Sequence, residues 1–134
     1  HGPIVDIFAQ QGETAFRRFE SAVLTKLMRG PAAVIAVGGG AVLEEKNRFR
    51  LRDKGYIVHL AVLPQTVVRR VAHRRHRPLL GPHPDSVSIQ AILAARESAY
   101  ADHDFRVQVD HRSPLGVARI IARWYNDRMS GVAS

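Results

Sequence analysis

Three groups of residues in this chain have types and spacing that can do chemistry. Arg17 and Glu20 stand three apart in the stretch Glu13-Thr14-Ala15-Phe16-Arg17-Arg18-Phe19-Glu20, so a helix places them on one side, beside the apolar stripe of Phe16, Phe19, Val23, Leu24, Leu27 and Met28. Taken alone, such a pair is an ordinary surface ion pair, worth little energetically. Gly38, Gly39 and Gly40 end a continuous apolar run that begins at Ala33. Three glycines there either turn the chain or let its backbone approach a ligand closely, and ligands of open α/β sheets sit at such strand ends. The third group is the basic, proline-rich segment His73-Arg74-Arg75-His76-Arg77-Pro78-Leu79-Leu80-Gly81-Pro82-His83-Pro84, which reads as a loop. Long loops in compact domains are lids or disordered. His73 and His76 lack acidic or cysteine company and make a poor metal site, so no metal ligand is assigned.

The whole chain bounds these options. Its 134 residues, 46% of them hydrophobic, suit one domain with one core. The formal net charge is +8, much of it arginine, which favours an anionic partner: nucleic acid, a membrane surface or a phosphorylated small molecule. The arginines are scattered and no aromatic stacking platform accompanies them, which argues against nucleic acid. No apolar run reaches membrane-spanning length, so no membrane partner is expected. The absence of cysteine excludes a disulfide framework and fits a reducing, cytoplasmic setting.

The elements that must position these residues follow from periodicity. Pro3 to Gln11 reads as a short helix ended by Gly12, and Glu13 to about Arg29 as a second one broken by Gly30-Pro31. Ala33 to Val37 reads as a strand buried on both faces. Glu44 to Lys54 reads as an exposed helix anchored by Phe49 and Leu51 and closed by Gly55. Tyr56 to Val62 is a second buried strand, followed by a helix from Pro64 through Ala72 with Val67, Val68 and Val71 inside. A helix from Asp85 or Ser86 to about His103 precedes a strand at Phe105 to Asp110, expected to be more exposed than the others. Ser113-Pro114 caps and starts the last helix, and Ser130 onwards reads as a frayed tail. Alternating strands and helices predict a parallel sheet with covering helices, an α/β fold.

Four features now stand in order: Glu13-x-x-Phe16-Arg17-x-x-Glu20, the strand into Gly38-Gly39-Gly40, Arg77-Pro78-Leu79-Leu80, and Arg96-x-x-x-Tyr100. Together they resemble shikimate kinase, across nearly the whole chain. The resemblance implies a three-layer, P-loop kinase-like (nucleoside-monophosphate-kinase-like) α/β fold with sheet order 2-3-1-4-5. It also implies transfer of the γ-phosphoryl of ATP to the 3-hydroxyl of shikimate, giving 3-phosphoshikimate in aromatic amino-acid (chorismate) biosynthesis. By resemblance, Arg17 and Arg96 hold the shikimate carboxylate, a task suited to guanidinium forks. Glu20 fixes Arg17 and reaches a ring hydroxyl, and Gly38, Gly39 and Gly40 complete the substrate site, the turn offering backbone N–H groups to the ring. Arg77 is the catalytic lid arginine that closes on the phosphates, within a lid loop over 73–85. Arg70, Arg77, Arg112 and Pro114 are the nucleotide-binding candidates, and residues 1–29 are the substrate-binding helices.

The family's Gly-x-x-x-x-Gly-Lys-[Ser/Thr] phosphate loop and its Asp-x-Asp are not found in these residues, so ATP and Mg²⁺ are expected to be held mainly by residues outside them. The first strand, central in that sheet order, is missing with them. Residues 1–134 thus read as one domain, incomplete at its N-terminus. Strands at Ala33 and Tyr56 would then have unpaired edges, at about 1 to 3 kcal/mol per unsatisfied buried group. Domain stability is of order 5 to 15 kcal/mol, so an upstream segment or another chain is expected to complete the sheet. Two other readings are weighed: a catalytically inactive shikimate-kinase-like ligand-binding or regulatory module, and a nucleic-acid-binding domain driven by charge.

Overall fold

The structure is a computed structural model that describes residues 4–71 and 86–131. The expected lid loop and its Arg77 lie outside the described residues, as does most of the expected C-terminal tail. Helix α1 (Ile4–Met28) is interrupted at Gly12, whose φ of 82° and ψ of 174° are non-helical, so the expected break between two helices falls at this glycine. Residues 33–38 form no helix or strand and lead into a turn at Gly39 and Gly40, then a short 3₁₀ turn, Ala41–Leu43. Next come α2 (Glu45–Lys54), β1 (Val58–Ala61), α3 (Pro64–Val71), α4 (Ser86–Tyr100), β2 (Phe105–Gln108) and α5 (Pro114–Met129).

Strands β1 and β2 pair in parallel, with Val58 opposite Phe105 and Ala61 opposite Gln108. The ladder is extended by Asp104 N donating to Ile57 O at 2.8 Å and Val109 N donating to Ala61 O at 2.9 Å. Parallel neighbours require a long crossover, which α3 and α4 flank. Ser113 caps α5 as its position before Pro114 predicts, its Oγ accepting from Gly116 N at 3.0 Å.

Three expectations about burial are corrected. The apolar run at 33–37 belongs to no strand pair among the described residues, and Val34 is fully exposed. A strand exists only through its partner, so an apolar pattern alone does not bury one. The strand at Phe105 is not the more exposed one. Val107 and Val109 form the core cluster with Val117, packed by Val58, Val62, Phe105, Ile120 and Ile121, whereas Leu60 on β1 is 51% exposed. Helix α5 covers β2, and its Trp124 stacks on Phe105 with centroids 4.9 Å apart, which explains the reversal. Finally, Phe49 does not anchor α2, being 75% exposed, whereas Leu51 is half-buried. The fully buried residue of that helix is Asn47, whose Nδ2 donates to Ala41 O at 2.9 Å and to Ser21 Oγ at 3.0 Å. One amide thus joins α1, α2 and the 3₁₀ turn that follows the glycines.

Candidate functional site

The glycine turn is the meeting point of side chains from two distant helices. Helical spacing within α1 presents Arg17 and Glu20 together, and Arg17 Nη1 donates to Glu20 Oε1 at 2.7 Å. Their side chains are only 18% and 16% exposed, so this is not a solvated surface pair. Glu13 Oε1 adds a looser contact to Arg17 Nε at 3.7 Å. Arg96 comes from α4, where Tyr100 lies one turn further on, and Arg96 Nη1 donates to Tyr100 Oη at 3.3 Å. Tyr100 Oη in turn donates to Gly39 O at 3.0 Å, across 61 residues of sequence.

Each glycine of the triplet leaves room for one of these groups. A Cβ on Gly38 would lie 2.9 Å from Glu20 Oε2. On Gly39 it would lie 2.6 Å from Arg96 Nη1 and 2.7 Å from Tyr100 Oη. On Gly40 it would fall on the Arg17 guanidinium, 2.6 Å from Nη1. Contacts under 3 Å at a Cβ mean that any larger residue displaces the charged group. Two guanidinium forks, a carboxylate and a phenol therefore surround one backbone turn. Two guanidinium forks at one turn can hold a carboxylate by charge-assisted hydrogen bonds.

The other sequence candidates lie elsewhere. Arg70 is exposed in the last turn of α3. Arg112 Nε donates to Gln108 O at 3.1 Å, and Pro114 opens α5. Asp110, which composition and periodicity did not single out, links these two regions. It is buried, and its carboxylate accepts from Leu63 N at 3.1 Å, immediately before α3. Hydrogen bonds from Thr66 above all, then from Gln108 and the Leu63 amide, bring its pKa down to about 2. The chain leaving β1 and the chain leaving β2 are thus tied together at the carboxyl ends of the strands. Beneath Tyr100, the His59 ring packs with centroids 5.0 Å apart, and burial foremost, with His103 and Arg106 nearby, lowers its pKa. Asn47 and Asp110 were missed because each acts on backbone groups far away in sequence, which leaves no local pattern.

The family model described as shikimate kinase matches residues 1–126. The chain belongs to the shikimate kinase family. A shikimate kinase from Chromohalobacter salexigens is 40% identical over 118 residues, which are 87% of this chain and 66% of that protein. One from Geobacter sulfurreducens is 35% identical over 124 residues, 92% of this chain and 68% of that protein. The chain therefore spans about two thirds of the length of these relatives. Among solved structures, shikimate kinase from Acinetobacter baumannii in complex with shikimate superposes with a TM-score of 0.83 at 27% identity, covering 97% of this chain and 71% of that one. Shikimate kinase from Aquifex aeolicus gives 0.73 at 25% identity, covering 93% and 73%. The fold is thus the P-loop kinase-like α/β class, and the family's activity is that of an ATP-using phosphotransferase. No helix among the described residues is long and apolar enough to cross a membrane.

Proposed function

We propose that this chain supplies the acid-gripping part of a shikimate kinase, which moves the γ-phosphoryl of ATP to the 3-hydroxyl of shikimate. The observation that carries this reading is the convergence of Arg17 and Arg96 on the Gly38 to Gly40 turn. The two forks take the carboxylate by charge-assisted hydrogen bonds, and Glu20 holds Arg17 in the orientation that presents its remaining N–H groups. The turn contributes backbone N–H donors to ring hydroxyls, leaving one hydroxyl free to reach the phosphoryl group. Binding in this way converts phosphoryl transfer to an oriented, effectively unimolecular step.

The nucleotide reading is supported by position. Arg70 and the Arg112 to Pro114 segment follow the carboxyl ends of β1 and β2, which Asp110 ties together, and nucleotides bind at that edge of open α/β sheets. We assign Arg70, Arg112 and Pro114 to the nucleotide, and Arg77 to the phosphates as the arginine that neutralises charge during transfer. Mg²⁺ is assigned with ATP mainly to residues outside this chain, and no step is routed through that ion. A strand from an upstream segment or another chain is assigned to the space between residues 33–38 and β1. The exposed apolar run and the exposure of Leu60 support it.

Calorimetric titration of the full-length protein with shikimate, and separately with ATP and magnesium, tests the reading. Arg96→Lys keeps the charge but loses the fork, so shikimate binding weakens strongly and nucleotide binding holds. Equal loss for both ligands would mean a folding role instead.

A further inference from the structure

We propose that Tyr100 is a positioning residue that sets both the Arg96 fork and the Gly40 amide, an inference that rests on the shikimate reading of this site. Its hydroxyl is placed between two groups that would touch the acid. It accepts from Arg96 Nη1 at 3.3 Å and donates to Gly39 O at 3.0 Å. The hydroxyl's one proton goes to the carbonyl, and a lone pair takes the guanidinium.

The consequences differ at the two ends. Arg96 has several N–H donors, and engaging one on the phenol fixes the plane in which the others face the turn. At the other end, the described peptides are all trans, so a carbonyl of Gly39 turned toward Tyr100 forces the Gly40 N–H to point the opposite way. Glycine backbones have many accessible orientations, so an external anchor on this peptide matters more here than at a substituted residue. One phenol thereby orients a charged donor and a backbone donor together.

Tyr100 is itself held from behind. His59 packs against its ring at 5.0 Å, and the His59 ring faces His103 at 5.5 Å. His103 Nδ1 donates to the Tyr100 carbonyl at 2.7 Å, closing the end of α4. Ring and backbone are both anchored, which leaves the hydroxyl in a defined place. The small gap left by the missing Cβ of Gly39 is what lets the hydroxyl and Arg96 reach the turn together.

Tyr100→Phe in the full-length protein is the test, because it keeps the ring packed on His59 and removes only the hydroxyl. The expected result is a rise of about tenfold in the Kd and KM for shikimate, the scale of one hydrogen bond to a charged group, with KM for ATP unchanged and the Tm lowered by no more than a few degrees. Arg96→Lys and the double variant are measured beside it. Because the hydroxyl acts partly through Arg96, the double variant loses less affinity than the product of the two single losses. If Arg96→Lys keeps full shikimate affinity, the site reading itself falls. If Arg96→Lys weakens binding but Tyr100→Phe does not, only the positioning role falls. A loss for ATP as large as that for shikimate, or losses that simply multiply, would likewise overturn it.

Discussion

Gly40→Ala separates the fold of the glycine turn from its role in binding. Gly40 has φ −86° and ψ −13°, an ordinary right-handed conformation that alanine adopts without strain. At such a position, replacing glycine stabilises a protein by about 0.4 to 1 kcal/mol, because the unfolded chain loses freedom. The added Cβ, however, would occupy the place of the Arg17 guanidinium, 2.5 Å from Cζ and 2.6 Å from Nη1. The end of a flexible side chain moves more readily than backbone, so Arg17 swings away and its 2.7 Å bond to Glu20 is broken or redirected. One hydrogen bond to a charged group is worth about 1.5 to 3 kcal/mol. At about 1.4 kcal/mol per factor of ten, shikimate affinity falls by roughly 10- to 100-fold. Calorimetry with shikimate and with nucleotide, together with thermal denaturation, reads all three quantities. The expected pattern is weak shikimate binding, normal nucleotide binding and a Tm that falls by only a few degrees, the backbone gain offsetting part of the lost Arg17–Glu20 bond. Gly55→Ala is the control, since its Cβ would meet only Leu51 O at 3.8 Å, an ordinary contact. Full shikimate affinity in Gly40→Ala would refute the reasoning, because Arg17 would then have no part in the grip.

Two pH effects follow from groups near the site. Asp110 has its pKa brought from 3.8 down to about 2 by the Thr66 hydrogen bond first, then by Gln108 and the Leu63 amide. The unfolded chain therefore binds the proton first, so this stabilisation is complete above pH 4 and is lost as pH falls toward about 2. Denaturant titrations of Asp110→Asn should show a flatter acid limb over that window, and an unchanged slope would contradict the assignment. His59 titrates below its usual 6.5 through burial first, then through His103 and Arg106, and it also faces Tyr100. Its neutral form favours the fold, so its contribution is present above pH 6.5 and declines as pH drops below that value. Melting curves of His59→Phe between about pH 5 and 7 should lose part of this dependence; the same slope in both proteins would show that His59 does not titrate in that range.

Local chemistry alone settled the helix break at Gly12, the cap at Ser113 and the common side of Arg17 and Glu20, because each depends on residues within one turn of one another. The alternation of strands and helices likewise gave the parallel pairing of β1 with β2. Periodicity could not say which apolar residues find cover. Val34 and Phe49 have core-like types yet face outward, while the polar Asn47 is buried because it satisfies a carbonyl on another element. The site belongs to both levels. Arg17, Gly39 and Arg96 were visible as residue types in a known order, but spacing does not state that each glycine faces a particular side chain. Only the packing of α4 against the turn brings Tyr100 to Gly39 across 61 residues. A pattern in sequence reaches as far as one helix face, and beyond that distance the layers of the fold decide what meets.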